Sequence, residues 1–100
     1  MHYLKNYING TYCDAISGAW IDNYNPSSGA VYAQIPDAGS DDVAVAYNAA
    51  QAASPSWSTA TNETRSRILL KIEDRIEAKV DLLAEAEVRE NGKPRSMAKQ

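Results

Sequence analysis

Apolar residues recur at every fourth position along one segment of the chain, residues 61–94, and charged residues fill most of the positions between them. The regular row consists of Ile68, Ile72, Ile76, Val80 and Ala84. Because an α-helix completes a turn in about four residues, this row predicts a helix with one apolar face and one charged face. An apolar face of this length needs a partner that covers it.

Residues at both ends of this segment are typical of helix termini. Thr61 is the expected N-cap, because its hydroxyl can accept a hydrogen bond from an unpaired N–H group of the first turn. The Asn91-Gly92 pair tolerates the left-handed conformation that ends many helices, so helix is predicted over residues 62–91. Asp81 is well suited to cap a second helix, and we therefore expect a break or kink within residues 79–82.

A different pattern precedes the helices, because short β-prone runs separated by turn residues over residues 7–35 are typical of strands. Asn9-Gly10 lies between β-prone residues and predicts a two-residue hairpin turn, since both positions of that turn need a positive φ. Further strands are predicted over residues 20–24 and 30–35, the second with the alternation of a half-exposed sheet. Pro36 is expected to end that strand.

A shorter helix is predicted over residues 41–53. Ser40 is its expected N-cap, and the carboxylates of Asp41 and Asp42 would lie near the positive end of the helix dipole. Its inner face carries mostly small residues, so we expect it to pack closely against a neighbour. The Ser54-Pro55 pair is expected to stop it, because the residue before a proline disfavours the helical conformation. Together these elements predict an α/β fold.

Bulk properties exclude several classes of partner. With 100 residues the chain forms at most one small domain, and its net charge of −3 offers no basic field that would attract nucleic acid. No apolar run has the length of a signal peptide or a membrane helix, so we expect no membrane partner. A single cysteine, Cys13, agrees with a reducing compartment, and we expect a cytoplasmic location.

Residues with catalytic chemistry are few, and no catalytic or cofactor-binding residue is predicted. Cys13 is the only nucleophile of its kind, and no base or positive field that would activate it is visible in the sequence. The carboxylates Glu73 and Asp74 are more typical of the solvated face of an amphipathic helix than of acid/base or metal chemistry. Gly92-Lys93-Pro94 follows a helix and is typical of a helix stop, whereas a phosphate loop follows a strand.

Six short motifs occur in a fixed order along the sequence. They are Tyr-Ile-Asn-Gly at 7–10, Asn-Pro-Ser-Ser-Gly at 25–29, Ala-Ala-Gln-Ala-Ala at 49–53, Arg-Ser-Arg-Ile-Leu at 65–69, Leu-Ala-Glu-Ala-Glu at 83–87 and Gly-Lys-Pro at 92–94. In this order they resemble the N-terminal portion of the aldehyde dehydrogenase superfamily, whose members are several times longer. The stretch from Trp20 to Gly39 is most similar to the branch that oxidises 2-hydroxymuconic or 2-aminomuconic semialdehydes.

The resemblance implies an NAD(P)-dependent oxidation of an aldehyde to an acid, by way of a cysteine nucleophile and a glutamate-activated water. It also implies that the family's nucleophile, general base, oxyanion-binding asparagine and cofactor loop lie beyond Gln100, and Cys13 does not match the nucleophile. One departure concerns the start of the long helix. The family places Glu just before the first Arg and thereby forms a capping box, whereas this sequence has Thr64 before Arg65 and its Glu63 one position early.

Some betaine-aldehyde-type relatives bind a monovalent cation through the loop before Asn-Pro and an acidic residue before Gly-Lys-Pro. By match, the resemblance places these ligands at Asn23, Tyr24 and Glu90 and implies potassium as the ion. Backbone carbonyls and a carboxylate suit a hard cation. The alternative, that Glu90 is a solvated carboxylate near a helix end, stays open and is favoured by the usual behaviour of such residues.

The resemblance therefore implies an incomplete N-terminal segment of an aldehyde dehydrogenase domain, with strands over about 7–35 and helices over about 41–53 and 62–91. Its expected partners are the remainder of the dehydrogenase polypeptide and, in the parent enzyme, a small aldehyde, NAD or NADP, and further copies in a homo-oligomer. The segment itself is expected to bind no cofactor and to oxidise no aldehyde. Two rival hypotheses remain, a stand-alone helical interaction module and the inactive product of a decayed gene.

Overall fold

The computed structural model describes residues 2–100 and divides them into two compact units. The first unit holds residues 2–24 and Val31–Thr59, and the second holds Asn25–Ala30 and Ala60–Gln100. The strands are β1 (His2–Tyr3), β2 (Asn6–Ile8), β3 (Thr11–Cys13), β4 (Trp20–Tyr24) and β5 (Val31–Pro36). The helices are α1 (Ser40–Thr59), α2 (Asn62–Ala78), α3 (Val80–Asn91) and α4 (Arg95–Ala98).

Strands β2 and β3 form an antiparallel hairpin in the first unit, as the sequence predicts. Asn9 and Gly10 connect them with φ values of 53° and 79°, the positive pair that a tight turn between twisted strands requires. Tyr7 pairs with Tyr12 across the hairpin, and their rings meet edge to face with centroids 4.9 Å apart. The turn chemistry and the cross-strand aromatic pair therefore favour the same register.

A three-stranded sheet in the order β1-β5-β4 forms the rest of the β structure in this unit. Strands β4 and β5 are antiparallel, and β4 has the bounds predicted from the sequence. Ala33, at the middle of β5, is 1% exposed and belongs to the small core. The sequence did not predict β1, whose two residues pair in parallel with Ala33 and Gln34.

Helix α1 corrects two predictions. Its N-cap position is Gly39, since the Gly39 carbonyl accepts from the Val43 N–H, and Ser40 is already helical. The helix also runs through Pro55 to Thr59 instead of ending near residue 53. Proline removes one backbone donor, and side-chain hydroxyls supply donors to the carbonyls of this last stretch, for example from Thr59 to the Pro55 carbonyl at 2.8 Å.

The long helical segment of the second unit is broken at Lys79 (φ −116°, ψ 21°), which lies in the predicted interval and separates α2 from α3. Asp81 does not cap α3, which corrects that prediction. It lies in the first turn of α3, and the side chain of the residue before the helix makes no capping hydrogen bond. Thr61 does cap α2, because its hydroxyl accepts from the Thr64 N–H at 3.1 Å.

Buried apolar side chains in the described residues are small: Ala15 and Ala33 in the first unit and Ala84 in the second. The row predicted to form the apolar face of α2 is present but largely open, with Ile76, for example, 53% exposed. On α1 the small residues Ala46 and Ala49 are half-buried, while Val43 and Tyr47 are exposed. Among residues 2–100, no helix has the length and apolar character needed to cross a membrane.

Candidate functional site

Two of the three predicted cation ligands lie at the end of β4 in the first unit. Asn23 pairs with Ala33 and Tyr24 with Val31, and the register shifts between these two pairs. The Asn23 side-chain amide donates to the Tyr32 hydroxyl at 3.2 Å, which fixes the orientation of a half-buried side chain. The irregular register turns the backbone at the point where β4 ends.

The third predicted ligand, Glu90, is an exposed residue in the last turn of α3 in the second unit. Gly92 follows it as the helix C-cap, with φ 67°, and donates its N–H to the Val88 carbonyl at 2.8 Å. A β-carbon at Gly92 would lie 3.5 Å from both Pro26 Cγ and Ser27 Oγ. The second unit therefore places the 25–30 turn directly beside the end of the helix that carries Glu90.

The 25–30 turn is held by its own hydrogen bonds. The Asn25 N–H donates to the Ala30 carbonyl at 2.8 Å, and the Asn25 side-chain oxygen accepts from the Ser27 N–H at 2.9 Å. Such side-chain bonds to the backbone two residues ahead are the reason asparagine favours turns. The motif Asn-Pro-Ser-Ser-Gly thus builds a hydrogen-bonded turn beside the cap of α3.

Clusters with metal chemistry are absent from the described residues. Within residues 2–100, no group of three or more His, Cys, Asp or Glu side chains could hold a metal ion. Cys13, the last residue of β3, is half-buried and pairs with Asn6 in the hairpin ladder. An asparagine is not a base that could activate the thiol, so this pairing gives Cys13 no catalytic partner.

An apolar hollow of about 310 Å³ lies between the hairpin and α1 in the first unit. Tyr7, Ile8 and Asn9 line one side, and the other side consists of Ala46, Ala49, Ala50 and Ala53. The small face of α1 therefore lies beside the hairpin, but the hollow separates them, so the close packing predicted from its composition is not seen here. This lining offers no charged group that would recognise a phosphate or a carboxylate.

Asp42 is a buried carboxylate, although its place in the sequence predicts only a position near the helix dipole. It is 7% exposed, and its two oxygens accept from the Ile16 N–H and the Gly39 N–H, each at 2.9 Å. The bond to Gly39 is one half of a capping box and could have been found from the spacing of the two residues. The bond to Ile16 joins the loop after β3 to the start of α1 and depends on the fold.

Ion pairs connect α3 to the residues that follow it. Glu85 pairs with both Arg89 and Arg95, Glu87 with Lys93, and Asp81 with Lys99 at 2.8 Å. The hydrogen bond from Lys99, together with the lysine charge, lowers the pKa of Asp81 below its ordinary value of 3.8. These ion pairs face solvent, and the one between Glu85 and Arg95 joins α3 to the first residue of α4.

Comparisons with known proteins agree on one family. The model of the aldehyde dehydrogenase family matches residues 12–100. Human 2-aminomuconic semialdehyde dehydrogenase is 38% identical over 96 residues, which are 96% of this chain and 19% of the human protein. A long-chain-aldehyde dehydrogenase from Acinetobacter is 39% identical over 90 residues, or 90% of this chain and 18% of the relative.

Solved structures give the same result. The NAD⁺ complex of an aldehyde dehydrogenase from Bacillus cereus superimposes with a TM-score of 0.92 and 34% identity, covering 97% of this chain and 20% of the other. The chain thus spans about one fifth of the length of the relatives it matches. Its mixed arrangement of strands and helices reproduces one part of a much larger fold.

Proposed function

The chain belongs to the aldehyde dehydrogenase family, and from this premise we propose that it is the N-terminal segment of an enzyme that oxidises an aldehyde to a carboxylic acid with NAD or NADP. The observation that carries the proposal is the superposition of nearly the whole chain on one fifth of an NAD⁺-bound dehydrogenase. The catalytic cysteine, the base and the cofactor loop then come from the remainder of the enzyme, because no motif here matches them.

The proposed substrate is a muconic-type semialdehyde. The identity with the human 2-aminomuconic semialdehyde dehydrogenase supports it. The resemblance of the sequence of residues 20–39 to that branch is a second support. A long-chain aldehyde is the competing substrate class, because the Acinetobacter relative matches at a comparable identity. Cytoplasmic location and a homo-oligomeric parent belong to the same proposal, and the single cysteine agrees with a reducing compartment.

The proposed partner of this segment is the remainder of the dehydrogenase polypeptide. The open row on α2 and the exposed Val43 and Tyr47 on α1 present apolar side chains to solvent within their own units. Burying apolar surface contributes about 25 cal/mol per Å² to stability. An uncovered row therefore lacks a large part of the stabilisation that its burial would give. Packing by the rest of the enzyme would recover that contribution.

The experiment uses the complete product of the gene and, separately, residues 1–100. Each is incubated with NAD or NADP and with 2-hydroxymuconic semialdehyde or a long-chain aldehyde, and the absorbance of the reduced cofactor is followed. We expect turnover by the complete protein, with the semialdehyde preferred, and none by residues 1–100. Absence of turnover by the complete protein with every aldehyde would contradict the proposal. Turnover by residues 1–100 that disappears in Cys13→Ala would show that catalysis does not depend on the remainder of the enzyme.

The open apolar row also favours a second candidate function, a stand-alone helical interaction module. The coding sequence discriminates the two functions. A reading frame that continues into a glycine-bearing strand-to-helix turn and a later cysteine supports the enzyme, whereas a stop codon after Gln100 supports the module or a decayed gene.

A further inference from the structure

Two Asn-Gly pairs, Asn9-Gly10 and Asn91-Gly92, occur in this protein in different structural settings. The backbone nitrogen after an asparagine can attack the amide carbon of the asparagine side chain. A bond forms between that carbon and the backbone nitrogen, the bond from the same carbon to the amide nitrogen breaks, and ammonia leaves. Solvent water opens the resulting succinimide to aspartate or isoaspartate, with no change of oxidation state. Glycine hinders this ring closure least, because it has no β-carbon.

Both reacting groups of the Asn91-Gly92 pair are engaged in hydrogen bonds. The Asn91 side-chain amide donates to the Glu87 carboxylate at 2.7 Å, and the Gly92 N–H donates to the Val88 carbonyl at 2.8 Å. The attacking nitrogen and the amide under attack are thus each held by the last turn of α3. Both hydrogen bonds must break before the ring can close.

Neither reacting group of the Asn9-Gly10 pair is held in this way. Asn9 and Gly10 are exposed, and over residues 2–100 neither the Asn9 side chain nor the Gly10 N–H makes a hydrogen bond. Apart from Gly10 itself and its two chain neighbours, no heavy atom of the described residues lies within 4 Å of the position that a β-carbon of Gly10 would occupy. Each strand of this hairpin has three residues, and a two-stranded hairpin alone is marginally stable, so the turn can leave its resting conformation.

We propose that Asn9 is a site of spontaneous deamidation and that α3 protects Asn91, which has the same neighbour in sequence. Conversion replaces a neutral amide with a carboxylate at the hairpin tip. Isoaspartate also adds a methylene group to the backbone, and the two-residue turn between Ile8 and Thr11 cannot accommodate it. The Tyr7–Tyr12 pair therefore loses its register in the modified protein.

The test compares the two sites within one molecule. The complete gene product is incubated at mildly alkaline pH, and the peptides that carry positions 9 and 91 are quantified by mass spectrometry, with isoaspartate distinguished by electron-transfer fragmentation. Synthetic peptides of residues 6–13 and 88–95 give the deamidation rates of the two Asn-Gly pairs in the absence of the folded structure. We expect similar rates for the two peptides, and conversion at position 9 of the protein faster than at position 91 on the order of tenfold or more.

A variant separates protection by α3 from differences in sequence. Glu87→Ala removes the acceptor of the Asn91 amide and should raise the conversion rate at position 91 while leaving position 9 unchanged. Equal rates at the two positions of the wild-type protein would overturn the proposal, as would an unconverted position 9 after its peptide has reacted fully. An unchanged rate at position 91 in Glu87→Ala would overturn the protective role of that hydrogen bond.

Discussion

Several single side chains in this protein stabilise the fold by accepting hydrogen bonds from backbone N–H groups. Asp42 is the clearest case, because one buried carboxylate accepts hydrogen bonds from two N–H groups that are 23 positions apart, those of Ile16 and Gly39. A carboxylate can accept both bonds with separate oxygens, whereas an amide has only one oxygen. The two oxygens of Asp42 thus hold the loop after β3 on the start of α1.

Replacement of Asp42 by asparagine is expected to lower the free energy of unfolding of the complete protein by about 1–3 kcal/mol, because one of the two N–H groups loses its charged acceptor. Equilibrium denaturation measures the change. Asp41→Asn is the matched control, since Asp41 is an exposed neighbour in the same helical turn and only a dipole effect of about 0.3–1 kcal/mol is expected there. Equal losses in the two variants would contradict the role assigned to the Asp42 oxygens.

Sequence reasoning found local partners at this scale and missed distant ones. Thr61 and Gly92 could be assigned as caps because each bonds within its own helical turn. The Gly39–Asp42 bond was equally local and was missed because Ser40 is the better-known cap residue. The bond from Ile16 to Asp42 could not be predicted, since it requires knowing which loop lies over α1.

At the scale of elements, helix α2 begins with a variant of the capping box. The Thr61 hydroxyl accepts from the Thr64 N–H and donates to the Thr64 hydroxyl at 2.9 Å, so a threonine occupies the place of the family's glutamate. Glu63, one position earlier, pairs instead with Arg67. The departure in sequence therefore leaves the cap hydrogen bond of the first turn intact.

Thr61→Ala is expected to destabilise the complete protein by about 1 kcal/mol, because an N–H at the start of α2 loses its acceptor. Thr61→Ser keeps the hydroxyl and should lose only a few tenths of that amount. Thermal unfolding of both variants tests the prediction. A serine variant as unstable as the alanine variant would show that the methyl group, and not the cap, carries the effect.

Exposed ion pairs join α3 to residues in and beside α4. Because the pKa of Asp81 is lowered in the folded protein, its contribution to stability is present above the ordinary value of 3.8 and is lost as the pH falls through the lower folded value. Lys99→Gln should return the pKa of Asp81 toward 3.8 in an NMR titration of its carboxyl carbon. Lys93→Gln, which removes the partner of Glu87, is the control. An Asp81 titration that is unmoved by Lys99→Gln would refute the assignment.

Elements with strong periodicity or specific turn residues were predicted well. The hairpin, β4 and the caps of the long helical segment follow from local signals. The break at Lys79 lies in the predicted interval, although Asp81, on which that prediction rested, does not cap α3. Strand β1 was missed because two residues carry no period, and its pairing with β5 is a long-range contact. The end of α1 was placed too early because the helix continues through Pro55 although one backbone donor is missing there, whereas a simple stop rule ends a helix before proline.

For the whole molecule, the open apolar row of α2 leads to a prediction about the remainder of the enzyme. If that remainder covers the row, Ile72→Ala in the complete protein should cost about 2–5 kcal/mol, the usual range for a buried isoleucine. Lys71→Ala, on the neighbouring exposed position, should change stability by no more than about 0.5 kcal/mol. Equilibrium denaturation of the two variants measures both losses of stability. Equal small losses would show that the remainder of the enzyme does not cover the row.

The cation hypothesis also belongs to the complete protein, and it rests on the resemblance that assigned Asn23, Tyr24 and Glu90. We propose that Glu90→Gln weakens the stabilisation by potassium, because it removes the one charged ligand. Melting temperatures with potassium and with an organic cation are compared for the wild type, Glu90→Gln and the control Glu77→Gln. An equal rise in melting temperature with potassium in all three proteins would contradict the hypothesis.

The division of the chain into two units has a consequence for engineering. The polypeptide passes from one unit to the other after Tyr24, after Ala30 and after Thr59, so sequence order and spatial grouping do not coincide. A chimera that joins two relatives between Thr59 and Ala60 would take the turn holding Pro26 and Ser27 from one parent and Gly92 from the other. Recombination at that apparent boundary would therefore mix the two halves of a single contact, and a chimera that conserves it must inherit residues 25–30 and 60–100 together.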